Sequence, residues 1–156
     1  MDPALDQIAA ELGLDRPDRE RLRFAFGHAC AQRVRHLLED PVAVECLDAL
    51  GAFLAGDLER SDLDACAQRA MRHANAHPGS KSIDGCGHAA VSAAYAVANA
   101  VSGKARQAAD YAAYAAVYAG GGYGAVADRA SFAPEHAWQA ACLAGLATSP
   151  GASDPA

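Results

Sequence analysis

The chain has 156 residues and a formal net charge of −6; 52 % of it is hydrophobic, much of that alanine, and 6 % is aromatic. A domain of this size can bury a core without disulfides or metal, and its acidic balance argues against a nucleic-acid binder, which presents a basic face. Alanine has the best intrinsic helix propensity, so the composition predicts closely packed helices rather than a core of bulky side chains.

Punctuation along the chain divides it into helices. Asp2 and Pro3 open a short one that stops near Gly13. Asp15 and Pro17 open a longer one over about 16–38, with Leu22, Phe26, Ala29, Cys30, Val34 and Leu37 on one face. Asp40 and Pro41 restart the chain as N-cap and first-turn proline; Ala43, Cys46, Leu47, Leu50, Phe53 and Leu54 turn inward, and Gly56 is the stop. Residues 61–64, Ser-Asp-Leu-Asp, have capping-box spacing and open a fourth helix that buries Leu63, Cys66, Ala67, Ala70, Met71 and Ala74 and ends at His77-Pro78-Gly79. After a short polar loop at 78–82, a fifth helix over about 83–102 places Ile83, Gly87, Ala90, Val91, Ala94, Ala98 and Val101 inward. A sixth runs over about 104–119 and ends at Gly120; one further turn at 125–130 precedes a last helix over about 134–147, opened by Ser131 and Pro134-Glu135. No stretch alternates β-branched and polar residues, so no sheet is expected. The predicted fold is all-α: a compact bundle of six to eight short helices in one domain over 1–148, with 149–156 as a disordered tail.

The charge is unevenly spread. Arg16, Arg19, Arg21, Arg23, Arg33 and Arg35 come early, whereas the stretch 39–64 is acidic and is opposed mainly by Arg60. Such a stretch suits a basic partner or an ordinary solvated surface. Five cysteines, at 30, 46, 66, 86 and 142, form no CxxC pair, and the N-terminus MDPALDQIAAEL lacks the apolar segment of a signal peptide. Reduced thiols and a cytoplasmic location are therefore expected. The apolar run 89–101 is too short to span a bilayer, so no membrane role is expected.

Three constellations could carry chemistry. Cys66, His73 and His77 stand at i, i+7 and i+11, on one helical face, and are zinc-ligand types. Against a metal site, Cys66 leans toward the core, and histidines near a helix C-terminus are favoured by the dipole alone. Cys86 and His88 add a second pair whose spacing matches no common zinc pattern. His88, Ser92, Tyr95 and Asn99 form a polar ridge at i, i+4, i+7 and i+11. A Ser–His pair can act as nucleophile and base, but no GxSxG elbow surrounds Ser92 and no orienting carboxylate is close in sequence. The ridge reads better as a contact with a partner or a neighbouring helix.

Tyr111, Tyr114 and Tyr118 lie at i, i+3 and i+7. Tyrosine buries a large ring and keeps a polar tip, which suits an interface, but it equally suits the rim of an alanine core, and helix packing is the commoner outcome. The glycines that follow, at 120–122 and 124, are no phosphate loop: they have no lysine and no preceding strand, and they sit at the negative end of a helix. No motif calls for a cofactor.

The succession ACAQRVRHLLED, AVECLDALGAFLAGDL, LDACAQRAMRHANAH and then the alanine-rich GHAAVSAAYAVANAVSGKARQAADYAAYAA, over about residues 20–120, resembles the all-α immunity proteins of bacterial polymorphic toxin systems. Those families share an early Ala-Cys-Ala-x-Arg helix, a short helix ending before Gly-Asp or Gly-Glu, and paired alanine-rich helices. They tend to carry tryptophan where this chain has Phe24 or Phe26, and Phe53. The resemblance implies a small cytoplasmic binder, without catalytic residues, that covers a cognate toxin, often a nuclease with a basic cleft. On that reading Asp57, Glu59, Asp62 and Asp64, with Tyr114 and Tyr118, are the contact residues. Two other readings stand beside it. One is a small helical enzyme using a metal at Cys66, His73 and His77 or a ligand at the His88–Asn99 ridge; the other is a non-catalytic scaffold that forms a homodimer through its alanine faces.

Overall fold

The computed structural model describes residues 2–79 and 82–151. Among them are seven α-helices and no strand: α1 (Pro3–Glu11), α2 (Glu20–Arg33), α3 (Pro41–Leu54), α4 (Arg60–Ala76), α5 (His88–Val101), α6 (Ala105–Ala127) and α7 (Ala133–Ala147). The all-α bundle expected from the sequence is what the chain forms.

Helix starts follow local chemistry. The Asp2 carboxylate accepts from the Ala4 and Leu5 N–H groups, and Asp40 accepts from Val42 N–H; each is followed by proline in the first turn. The 61–64 capping box does not form. α4 begins two residues earlier, at Arg60 with Glu59 as N-cap, and Asp64 is instead paired with Arg60 one turn back, at 3.0 Å. The long second helix is shorter than expected, because residues 17–19 and 35–37 tighten into 3₁₀ turns at its two ends.

α5 is the centre of the bundle. Eleven of its residues are buried, from Ala89 to Val101, so it is apolar on nearly every side. On one side Ala93 and Ala96 join Leu5, Leu22, Phe26, Ala109 and Leu143; on the other Val97, Ala98 and Val101 join Phe24, Leu47, Leu50 and Leu63. α2 spans the same two clusters, with Leu22, Phe26 and Cys30 in the first and Phe24 and Ala31 in the second. A one-faced reading of α2 therefore misses Phe24, Gly27 and Ala31, all buried.

α7 closes the bundle over α1 and α2. Arg33 makes a bidentate pair with Glu135 at 2.7 and 2.9 Å and lies over the Trp138 ring at 4.5 Å. The buried Gln139 amide donates to the Ala109 carbonyl at 2.8 Å. Thr148–Gly151 continue past α7, and Thr148 and Ser149 hydroxyls donate back to Gly145. Of the expected tail, 152–156 lie outside the described residues, as do Ser80 and Lys81 of the expected polar loop.

Candidate functional site

The fifth helix starts later than its pattern predicts. Residues 82–87 are a turn in which the Asp84 carboxylate accepts from Cys86 N–H at 3.0 Å and the Ser82 hydroxyl accepts from Gly87 N–H at 3.1 Å. These side-chain bonds replace the first helical turn. Ile83, expected inward, is 98 % exposed.

The glycines also behave differently from a simple stop. Gly120 and Gly121 stay helical, and the break comes at Gly122, with φ +62° and ψ −147°, before the helix resumes to Ala127. The break receives the 82–87 turn: the Tyr123 N–H donates to the Asp84 carbonyl, and a Cβ at Gly122 would overlap that same oxygen. Only glycine meets both the positive φ and the close approach. Across the contact, the Tyr123 ring lies so near Gly85 that a Cβ there would stand 2.8 Å from it.

The aromatic side chains of α5 and α6 form a band of two groups, one around this junction and the other, Tyr95 with Tyr111, further back along both helices. Tyr95 and Tyr111 stack at 5.0 Å, and the Tyr95 hydroxyl donates to the Asn75 side-chain oxygen at 2.9 Å. Tyr114 meets Phe132 edge-on at 5.1 Å and Tyr118 at 6.3 Å; Tyr118 in turn meets His88 at 5.5 Å and Tyr123 at 6.2 Å. His88 Nε2 shares a hydrogen bond with the Tyr123 hydroxyl at 2.8 Å. The offset and edge-on geometry is the favourable one for aromatic pairs. The band is only partly covered: Tyr111, Tyr114 and Tyr123 are 37 %, 44 % and 48 % exposed. With Ile83 they are the exposed large hydrophobic residues of the described chain, and all four lie on α6 or on the turn lodged against it.

The ridge of α5 therefore divides. His88 and Tyr95 join the band, whereas Ser92 and Asn99 are buried, with the Asn99 amide donating to the Tyr95 carbonyl at 2.8 Å. His88 is bonded to Tyr123, and no hydrogen bond joins it to Ser92 among the described residues. The expected contact residues Tyr114 and Tyr118 sit in the band, Tyr114 exposed and Tyr118 half-buried. The sequence pattern places Ile83 inward and singles out neither Tyr123 nor Phe132. For Tyr123 a signal existed, five residues beyond Tyr118 among the glycines; Phe132 and Ile83 are placed by tertiary contacts.

Cys66, His73 and His77 do not converge. His73 Nδ1 is 2.6 Å from Asp40 Oδ2, and His77 Nε2 is 3.7 Å from Glu39. Cys66 faces α3, where the Cys46 thiol donates to its carbonyl at 3.4 Å. Burial, reinforced by Cys66, pushes the Cys46 thiol up to about 12, so it is held as a neutral thiol. Among the described residues no three His, Cys, Asp or Glu side chains are grouped to hold a metal ion.

The acidic stretch is largely occupied. Glu45 pairs with Arg69 at 3.1 Å, Asp48 with Arg35 at 2.6 Å, and Asp64 with Arg60. Of the candidate acids, Asp57, Glu59 and Asp62 remain exposed at the start of α4, with no ion pair among the described residues. Two shallow depressions, of about 340 and 380 Å³, lie elsewhere. The first is lined by Asp15, Arg16 and Arg106, the second by Val117, Gly120, Ser131 and Glu135. In the second, the Glu135 carboxylate is taken up by its bidentate pair with Arg33.

No family model, curated protein or solved structure matches the chain. No helix among the described residues is long and apolar enough to cross a membrane.

Proposed function

We propose that this is a non-catalytic binding protein of the immunity type, which neutralises a cognate toxin protein by covering it, with the aromatic band of α5 and α6 at the centre of the contact. One observation carries the reading: the exposed large hydrophobic residues of the described chain all lie on α6 or on the turn lodged against it. Tyrosine offers large contact area, a hydrogen-bonding tip and few rotatable bonds, which is why it is enriched at interface cores. The resemblance to toxin-immunity families supplies the class of partner.

Asp57, Glu59 and Asp62 have a different role on this reading. Asp62 and Asn75 lie at opposite ends of α4, about 20 Å apart at the α-helical rise per residue. Free carboxylates that far from the band steer a basic partner during approach, an effect that falls with salt.

The test is capture and protection. The tagged full chain is mixed with the toxin encoded beside it, and both complex formation and toxin activity are measured. A stable complex with loss of toxin activity is expected, weakened in a Tyr111→Ala/Tyr114→Ala variant. A chain that neither binds nor silences that toxin overturns the reading.

A further inference from the structure

Of the cysteines distributed over the bundle, two meet. Cys46 on α3 is fully buried and Cys66 on α4 is partly exposed; both are free thiols. The Cys46 thiol donates to the Cys66 carbonyl at 3.4 Å, so its sulfur lies against the backbone that bears the Cys66 side chain. The Cys66 thiol is itself a hydrogen-bond partner of Cys46. Both belong to the cluster built around Leu47, Leu50 and Leu63, which holds the two helices together. Arg69, one turn beyond Cys66, pairs with Glu45 and is near both sulfurs. A partly exposed thiol beside a cation is the reactive kind. The remaining cysteines differ. Burial first, and Cys142 on α7 second, raise the Cys30 thiol, but no hydrogen bond joins Cys30 to Cys142 among the described residues. The Cys86 thiol is hydrogen-bonded to Asp84 in the 82–87 turn.

Disulfide formation requires closely spaced backbones and side chains directed at one another. The carbonyl contact supplies the first and the bond between the thiols the second. We infer that Cys46 and Cys66 are a reversible modification site, closed into an intrachain disulfide by a low-molecular-weight disulfide such as oxidised glutathione. In the first step the Cys66 sulfur attacks one sulfur of oxidised glutathione. A Cys66–glutathione bond forms, the glutathione S–S bond breaks, and the departing thiolate takes up the Cys66 proton. In the second step Cys46 attacks the Cys66 sulfur. The Cys46–Cys66 bond forms, and glutathione leaves as a thiolate that takes up the Cys46 proton. Two protein thiols are oxidised, and one disulfide is reduced to two thiols. Cys46 is held as a neutral thiol, chiefly by burial, so the second step is the slower and quickens as pH rises. The bridge joins residues 20 apart and encloses the exposed acids Asp57, Glu59 and Asp62. This site is independent of the binding reading above.

The full chain, folded and fully reduced, is placed in oxidised glutathione without denaturant, quenched with acid at intervals, alkylated and mapped by mass spectrometry. A glutathione adduct on Cys66 is expected first, followed by a Cys46–Cys66 cross-link that forms faster at higher pH. The cross-linked chain is expected to melt about 5–10 °C above the reduced one, as for closing a loop of this length in a domain of this size, and dithiothreitol is expected to reverse the rise. Cys46→Ser is expected to stop at the Cys66 adduct, and Cys66→Ser to take up no glutathione at Cys46. The map of the unsubstituted chain decides the test whether or not these variants fold. Cys46 left free in excess oxidised glutathione, a cross-link in which Cys46 or Cys66 takes another partner, or a cross-linked chain that melts below the reduced one each overturn the inference.

Discussion

Between α3 and α4 the core is made of Leu47, Leu50 and Leu63; between α5 and α6 it is made of Ala93, Ala96, Ala105, Ala109 and Ala112. The first pair of helices is separated by bulk, and the second is drawn close by its absence. Their outer faces differ in the same way. α3 and α4 carry charges, most of which find partners one turn or one helix away, so the acidic run conspicuous in sequence is partly neutralised on folding. The outer face of α5 and α6 carries rings that satisfy one another incompletely and remain half-exposed. Residues that find partners within the fold are spent on stability, and those that do not are available for binding.

The comparison is broken hardest on its bulky side. Leu50→Ala empties a fully buried position and is expected to cost ~2–5 kcal/mol in chemical denaturation. Gly122→Ala comes next, at roughly 2–4 kcal/mol, because a side chain there is strained at positive φ and meets the Asp84 carbonyl. Hydrogen exchange should show residues 82–87 losing protection in that variant while α3 and α4 keep theirs. On the alanine side the sign of the sensitive change reverses. Ala96→Leu is expected to cost about 1–3 kcal/mol through overpacking, where the same added bulk at an exposed site such as Ala65 costs nothing measurable.

Acid is expected to loosen the charged side. Burial lowers the pKa of His28 on α2, with Asp48 opposing and Arg35 adding to the shift. The folded chain then binds fewer protons there than the unfolded chain. The contribution of His28 is complete above its ordinary value of 6.5 and is lost as pH falls through the lowered one. Asp48, held below 3.8 first by its hydrogen bond from Arg35, adds a loss of the same sign at lower pH. Thermal melting at a series of pH values should show the midpoint falling below about pH 6.5, with a shallower slope in His28→Gln. The smallest effect is expected from Asp57→Asn/Glu59→Gln/Asp62→Asn, within about 0.5 kcal/mol of the parent per position, because these acids touch nothing charged.

The amino-acid sequence by itself determined the helices and most of their borders. Asp2-Pro3, Asp40-Pro41 and Gly56 act through bonds to residues within a few positions, so their effect is written locally. It also determined the alanine-rich character of α5 and α6. Tertiary structure alone decided which residues lie on which side of α2 and α5, because a helix buried on two faces has no single apolar stripe to read. It decided that the helix breaks at Gly122 and not at Gly120, since the cause is the Asp84 carbonyl 38 residues earlier. It decided that Tyr111 and Tyr114 are surface residues. Their spacing permits either a core rim or an outer face, and only the packing of α6 against α5, with alanines inward, turns the rings out.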